Sequence, residues 1–258
     1  MEGEEKAMFY KTLIYQETGG VGIITLNRPA AGNAINLRLA GELTGICTRV
    51  NHDEGVKAVI ITGAGEEVFS VGADPDEFFL GAGMPSVAAP VTGLTCPVIA
   101  AINGDALGQG LELALACDLR IAVETARFAL PHLTSGFIPW DGATQRLPRL
   151  IGKSKAMEML LTGQVVDAAE AHRIGLINRV VSSRELIPMV TDMGREMASK
   201  APLALKYAKE AIYKGLDLTL GQGLRLEADL YFLLQTTEDR NEGIKAFLEK
   251  RPPQFKGR

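Results

Sequence analysis

Short apolar runs that end in Gly or Asn alternate with longer segments whose apolar residues recur every three or four positions. In the first two thirds of the chain, "VGIITLN" (21–27), "VKAVIITG" (56–63) and "CPVIAAING" (96–104) are such runs, rich in β-branched residues, and they predict strands. "LRLAGELTGICTRVN" (37–51) and "QGLELALACD" (109–118) have helical content, and "LRIAVETARFAL" (119–130) resumes strand character. Strands alternating with crossover helices predict an α/β core with a largely parallel sheet. Both faces of such a sheet are covered, so its strands are expected to be almost continuously apolar. "PHLTSGFIPWDGATQRL" (131–147) contains Gly136, Pro139 and Gly142 and reads as a loop. From about residue 153 onward the pattern is helical, beginning with "KSKAMEMLLTG" and "DAAEAHRIGLI" and ending in two long amphipathic stretches. That tail is more amphipathic than one domain core needs, so part of it is expected to pack on another subunit.

Composition narrows the classes. The 258 residues suit one sizeable domain, or one with a small appendage. With 47% hydrophobic and 22% charged residues, the chain has the balance of a soluble globular protein. A net charge of −4 argues against nucleic acid as a partner, because neutralising phosphates needs a basic surface. No apolar run approaches the roughly 20 residues that span a bilayer. The opening "MEGEEKAMFYK" is acidic and polar, unlike a secretory leader, so a cytoplasmic location is expected. Cys47, Cys96 and Cys117 are odd in number and flanked by apolar residues, which reads as reduced core thiols. Three histidines with no His/Cys cluster make a bound metal unexpected.

Candidate chemistry sits at strand ends. "ITGAGEEVFSVGADPDEF" follows the second clear strand and "INGDALGQGLELALACD" the third, each with small residues ahead of a helix. Free N–H groups at a helix start suit a negative charge, and two aimed at one point make an oxyanion hole. The plain alternative is a tight strand-to-helix connection. The dinucleotide fingerprint is incomplete, and neither a phosphate-binding P-loop nor a G-x-S-x-G elbow occurs. His132 and Asp141 stand nine positions apart in the loop, beside the only tryptophan, Trp140. They are either a buried packing pair or an acid/base pair, since imidazole titrates near neutrality. His52 reads as an exposed helix end and His172 as part of a surface helix.

Seven stretches, in order, resemble the crotonase (enoyl-CoA hydratase/isomerase) superfamily over nearly the whole chain: "VGIITLNRPAAGNAIN", "AVIITGAGEEVFSVGAD", "CPVIAAINGDALGQGLELALACDLRIA", "ARFALPHLTSGFIPWDGATQRLPRLIG", "AMEMLLTG", "AHRIGLINRVV" and "EGIKAFLEKRPPQFKGR". The resemblance implies a spiral of ββα repeats over residues 1–200 and a C-terminal helical trimerisation region over 201–258. It implies a homotrimer or homohexamer acting on an acyl-CoA, with CoA as part of the substrate and no separate cofactor. It assigns the oxyanion-hole N–H groups to Ala73 and Gln109, and CoA contacts to Ala73, Asp74, Phe247 and Lys250. Gln109 departs from the family's usual Gly; its side chain must turn away or narrow the acyl pocket.

Hydratases of the family use two glutamates on one water. Glu112 matches the first, and His132 stands in place of the second. A His and an Asp at this spacing are similar to the superfamily's β-diketone carbon–carbon hydrolases, which implies that Asp141 orients the imidazole. Trp140 suggests a flat or cyclic acyl group. The expected activity is hydration or dehydration of an α,β-unsaturated acyl-CoA through an enolate. The alternatives are a His/Asp-dependent C–C bond or thioester hydrolase, and a non-catalytic binding protein of the same fold.

Overall fold

The computed structural model describes residues 6–78 and 85–258; residues 1–5 of the acidic opening stretch lie outside them. The strands are β1 (Lys6–Phe9), β2 (Leu13–Thr18), β3 (Val21–Leu26), β4 (Ala58–Gly63), β5 (Val68–Ser70), β6 (Val98–Ile102), β7 (Asp105–Leu107), β8 (Leu119–Val123), β9 (Arg127–Ala129), β10 (Val166–Asp167) and β11 (Arg179–Val181). The helices are α1 (Leu37–His52), α2 (Pro75–Phe78), α3 (Ala88–Thr92), α4 (Gln109–Ala116), α5 (Ala143–Ile151), α6 (Lys153–Thr162), α7 (Ala168–Arg173), α8 (Ser183–Ala198), α9 (Pro202–Gly215), α10 (Leu220–Leu234) and α11 (Glu238–Glu249).

Two sheets result. The larger runs β1-β2-β3-β4-β6-β8-β11, antiparallel across β1-β2-β3 and parallel from β3 onward. The smaller runs β10-β9-β7-β5 and is parallel except where β10 meets β9. β4, β6 and β8 each lead into a short strand of the second sheet and then into helix, so the ββα repeat is traced three times. Every residue of β4 and β6 is buried, as strands covered on both faces require. α1 turns Leu39, Leu43, Ile46 and Val50 into the core, and Asn36 caps its start by accepting from the Leu39 N–H (2.9 Å). α8 packs against β4 with Leu186 and Val190 buried.

Three expectations change. "LRIAVETARFAL" is two strands, β8 and β9, in different sheets. Residues 131–147 are not one loop: a 3-10 turn covers Pro131–Ser135 and α5 already begins at Ala143. The first of the two long tail stretches breaks into α8 and α9, with Pro202 opening α9 at the helix position that needs no N–H.

The cysteines are free, with burial pushing the thiols of Cys47 and Cys117 up to about 12 and that of Cys96 to about 11. α9 contributes no residue to the core and α10 only Leu230. α9 is nonetheless tethered: Lys209 Nζ donates to Asp118 Oδ2 (2.9 Å) and the Cys96 carbonyl (3.0 Å), and Tyr213 donates to Asp118 Oδ1 (2.8 Å). Large apolar side chains on these two helices and their connection, Ile212, Leu216, Leu220, Leu224 and Phe232 among them, face outward, Leu220 at 78% exposure.

Candidate active site

Two backbone turns meet beside α4. The first follows β5. Ile35 bridges to this turn, donating to the Gly72 carbonyl (2.7 Å) and accepting from the Asp74 N–H (2.8 Å). Successive N–H groups of an extended chain point to opposite sides, so the intervening Ala73 N–H faces away from Ile35. The Asp74 carboxylate accepts from Arg28 Nη1 (2.7 Å), which also donates to the Ala34 carbonyl (2.7 Å). Asn33, fully buried at positive φ, donates from its side-chain amide to the carbonyls of Ala64 and Val68. The "NRPAAGNAIN" segment therefore shapes the turn carrying Ala73, a role the sequence did not assign to Arg28 or Asn33.

The second turn is Gly108, which precedes α4 with no side-chain cap. Its approach to the first is so close that a Cβ on Gly72 would lie 2.9 Å from the Gln109 nitrogen. Gly110 is equally constrained: a Cβ there would stand 2.5 Å from the Ser70 carbonyl oxygen. As the first residue of α4, Gln109 has an N–H with no intrahelical acceptor. Among the described residues neither the Ala73 nor the Gln109 N–H is given to another group.

All eight residues of α4 are buried. Glu112 is 0% exposed in its first turn, where the helix dipole favours a carboxylate. Its Oε1 accepts from the backbone N–H groups of Asp141 (2.9 Å) and Ala143 (3.0 Å). Its Oε2 lies 3.5 Å from His132 Nε2 and makes no hydrogen bond among the described residues. The imidazole comes from the 3-10 turn, is buried edge-on against the Trp140 ring with centroids 5.6 Å apart, and leaves Nδ1 unpaired. Two atoms 3.5 Å apart can share a single water, each at ordinary hydrogen-bond distance.

Asp141 corrects an expectation. Its carboxylate does not meet His132. Oδ1 accepts from Ser86 Oγ (2.5 Å), and Oδ2 from the N–H groups of Val87 (2.8 Å) and Ala88 (3.1 Å) and from Gln109 Nε2 (3.1 Å). Those donors, three of them at or beside the open N-terminus of α3, take up its acceptor capacity, so nothing is left to orient the imidazole. The Gln109 side chain turns toward Asp141, and its Nε2 also donates to the Pro85 carbonyl (2.6 Å). Ser86 and Pro85 were missed in the sequence, because nothing in residues 85–88 signals that Ser86 docks against Asp141 or that the Pro85 carbonyl takes up the Gln109 amide. His52 and His172 lie exposed on α1 and α7, away from this cluster.

The structure thus gathers Ala73, Gln109, Glu112, His132, Trp140 and Asp141 and leaves Phe247 and Lys250 apart. Phe247 is 83% exposed near the end of α11, which stops at Lys250 in a left-handed conformation. No group of three metal-ligating side chains occurs among the described residues.

A family model described as enoyl-CoA hydratase/isomerase matches residues 16–258. The chain belongs to this family. Among enoyl-CoA hydratase/isomerase relatives, a probable enoyl-CoA hydratase of Rhizobium meliloti is 44% identical, over 97% of this chain and 100% of its own length. A crotonyl-CoA hydratase of Syntrophomonas wolfei is 40% identical over 96% of this chain and 99% of its own. The crystal structure of an enoyl-CoA hydratase from Bacillus anthracis superposes with a TM-score of 0.88 at 41% identity, covering 98% of this chain and 99% of that one. In this enoyl-CoA hydratase/isomerase relative, the imidazole of His132 faces Glu112 and the amide of Gln109 stands beside Asp141.

Proposed function

We propose that this protein adds water to, and removes it from, the double bond of an α,β-unsaturated acyl-CoA. The observation that carries the reading is Glu112: a fully buried carboxylate with one oxygen held by two backbone amides and the other open toward His132 Nε2 at 3.5 Å. The thioester carbonyl would accept from the Ala73 and Gln109 N–H groups, whose preorganised dipoles stabilise the oxygen as it becomes negative. A water shared by Glu112 and His132 loses a proton to Glu112 Oε2 as its oxygen bonds to Cβ. The π electrons move to the thioester oxygen, giving an enolate. Cα then takes a proton from His132 Nε2, and the proton gained by Glu112 Oε2 crosses the short gap to His132 Nε2, which resets the pair. Reversal eliminates water by the same path.

Trp140, packed on the imidazole, would line the acyl side. Phe247 and Lys250 would serve the adenine and phosphate end of CoA in a neighbouring subunit, with Ala73 and Asp74 at the thioester end. Such remote contacts supply binding energy for positioning the reacting carbon. CoA arrives with the acyl group and no further cofactor is invoked. The outward apolar faces of α9 and α10 favour a homotrimer or a pair of trimers. The three free thiols fit a reducing cytoplasm, and no helix among the described residues is long and apolar enough to cross a membrane.

The test is a turnover screen across linear enoyl-, cyclic dienoyl- and β-keto-thioesters of CoA, with mass analysis of the products. A gain of 18 Da on an intact CoA thioester is expected from the enoyl substrates. Release of free CoA or a C–C cleaved fragment, with no hydrated thioester, would overturn the reading in favour of a hydrolase.

A further inference from the structure

The Gln109 side chain occupies a position where the reading above needs only a backbone N–H, yet it is 1% exposed and fully committed as a donor. Both hydrogens of Nε2 are used, one on Asp141 Oδ2 and one on the Pro85 carbonyl. The arrangement leaves Gln109 Oε1 buried without a hydrogen-bond partner among the described residues, a cost that packing alone does not justify. What the amide holds is the turn that holds Glu112. Asp141 receives Gln109 on its carboxylate and gives its own N–H to Glu112 Oε1, which also takes the Ala143 N–H. Glu112 lies three residues after Gln109 on the same buried helix, so the path from Gln109 through Asp141 to Glu112 closes into a ring.

We infer that Gln109 is a positioning residue for the reaction proposed above, acting through Asp141 to keep Glu112 Oε2 at a set distance from both His132 and the oxyanion-binding amides. The ring makes the Gln109 N–H and the Glu112 carboxylate one rigid body. A thioester seated on that N–H then has its Cβ placed relative to the water without a separate adjustment. Opening the ring leaves the oxyanion amide and the substrate contacts in place but lets Glu112 wander. Misplacement of a catalytic group by an ångström lowers turnover far more than binding.

The experiment compares wild type with Gln109→Met (similar volume, no donor), Gln109→Gly, Asp141→Asn and Gln109→Met/Asp141→Asn. Rates are measured on crotonyl-CoA, hydrogen exchange is followed by mass spectrometry over residues 137–147, and melting temperature is recorded for each variant. Gln109→Met and Gln109→Gly should lower kcat roughly 10- to 50-fold with KM held within about threefold, and exchange over 137–147 should accelerate. The double variant should be no slower than the slower single one, since residues acting through one another are not additive. Gln109→Met with wild-type kcat, or losses that multiply in the double variant, would overturn the inference. A wild-type protein that hydrates no enoyl thioester removes the hydratase reading alone; the exchange comparison still decides the ring, and unchanged exchange in both Gln109 variants would dismiss it.

Discussion

Glu112 and His132 belong to different elements, and among the described residues Glu112 Oε2 and His132 Nδ1 are buried without a hydrogen-bond partner. Purely structural polar groups in a core are hydrogen-bonded, and the proposed hydration would put both of these residues to use. His132→Ala and Glu112→Gln should therefore each reduce hydration by roughly 10²–10⁴-fold, the contribution of a positioned proton-transfer group, with melting temperatures close to wild type. Wild-type rates in either variant on a confirmed substrate would return that residue to packing. Asp141 belongs to a different class. As a buried acceptor of four donors it shapes the turn, so its replacement should register in stability and geometry before it registers in the pH dependence of turnover.

Among the elements, those with a strong period were legible in the sequence. The buried runs of β3, β4 and β6 and the repeating face of α1 are dictated by which side chains must leave water. The short strands β5, β7 and β10 were not, and β9 was read only as a continuation of β8, because two or three residues carry no period and are set by pairing with each other. The candidate site was legible as a set of residues, through Glu112, His132 and the two turns. Its wiring was not, because the Asp141 carboxylate found donors at 86–88 and 109 instead of the imidazole nine positions away, and no local pattern encodes a tertiary hydrogen bond. α11 illustrates the same point and carries a prediction. Its Glu242 accepts both Nη groups of Arg251 and the Gln254 N–H, and these, the guanidinium first, pull its carboxyl down to about 2. A depressed acid stabilises the fold above the unfolded carboxyl's pKa of about 4.3, and that contribution is lost as pH falls through about 2. The segment 251–258 should therefore stay docked on α11 at pH 5 and detach between about pH 4 and 2, and Glu242→Gln should loosen it already at pH 5. Hydrogen exchange of that segment reads both outcomes; equal protection in Glu242→Gln and wild type would contradict them.

For the whole molecule, α9 and α10 put more apolar side chains into water than a monomer usually tolerates as a continuous surface. Closed symmetry is the ordinary solution for a homo-oligomer with such a face. Light scattering at micromolar concentration should give three or six times the 27.7 kDa chain mass, and Leu220→Glu/Phe232→Glu should shift it to monomer. A stable wild-type monomer would leave the outward faces unexplained and would separate Phe247 and Lys250 from any neighbouring acyl site.

The hold on Glu112 has an evolutionary corollary. Two main-chain amides place this carboxylate, and neither belongs to the 3-10 turn that carries position 132. Among the described residues the side chain opposite, at position 132, donates nothing to that placement and makes no hydrogen bond. A lineage can therefore exchange Glu for His there, or back again, without first repairing the fold. Under the proposed reaction, the chemistry at position 132 can then drift at a single codon while the two turns and the fixed carboxylate stay as they are.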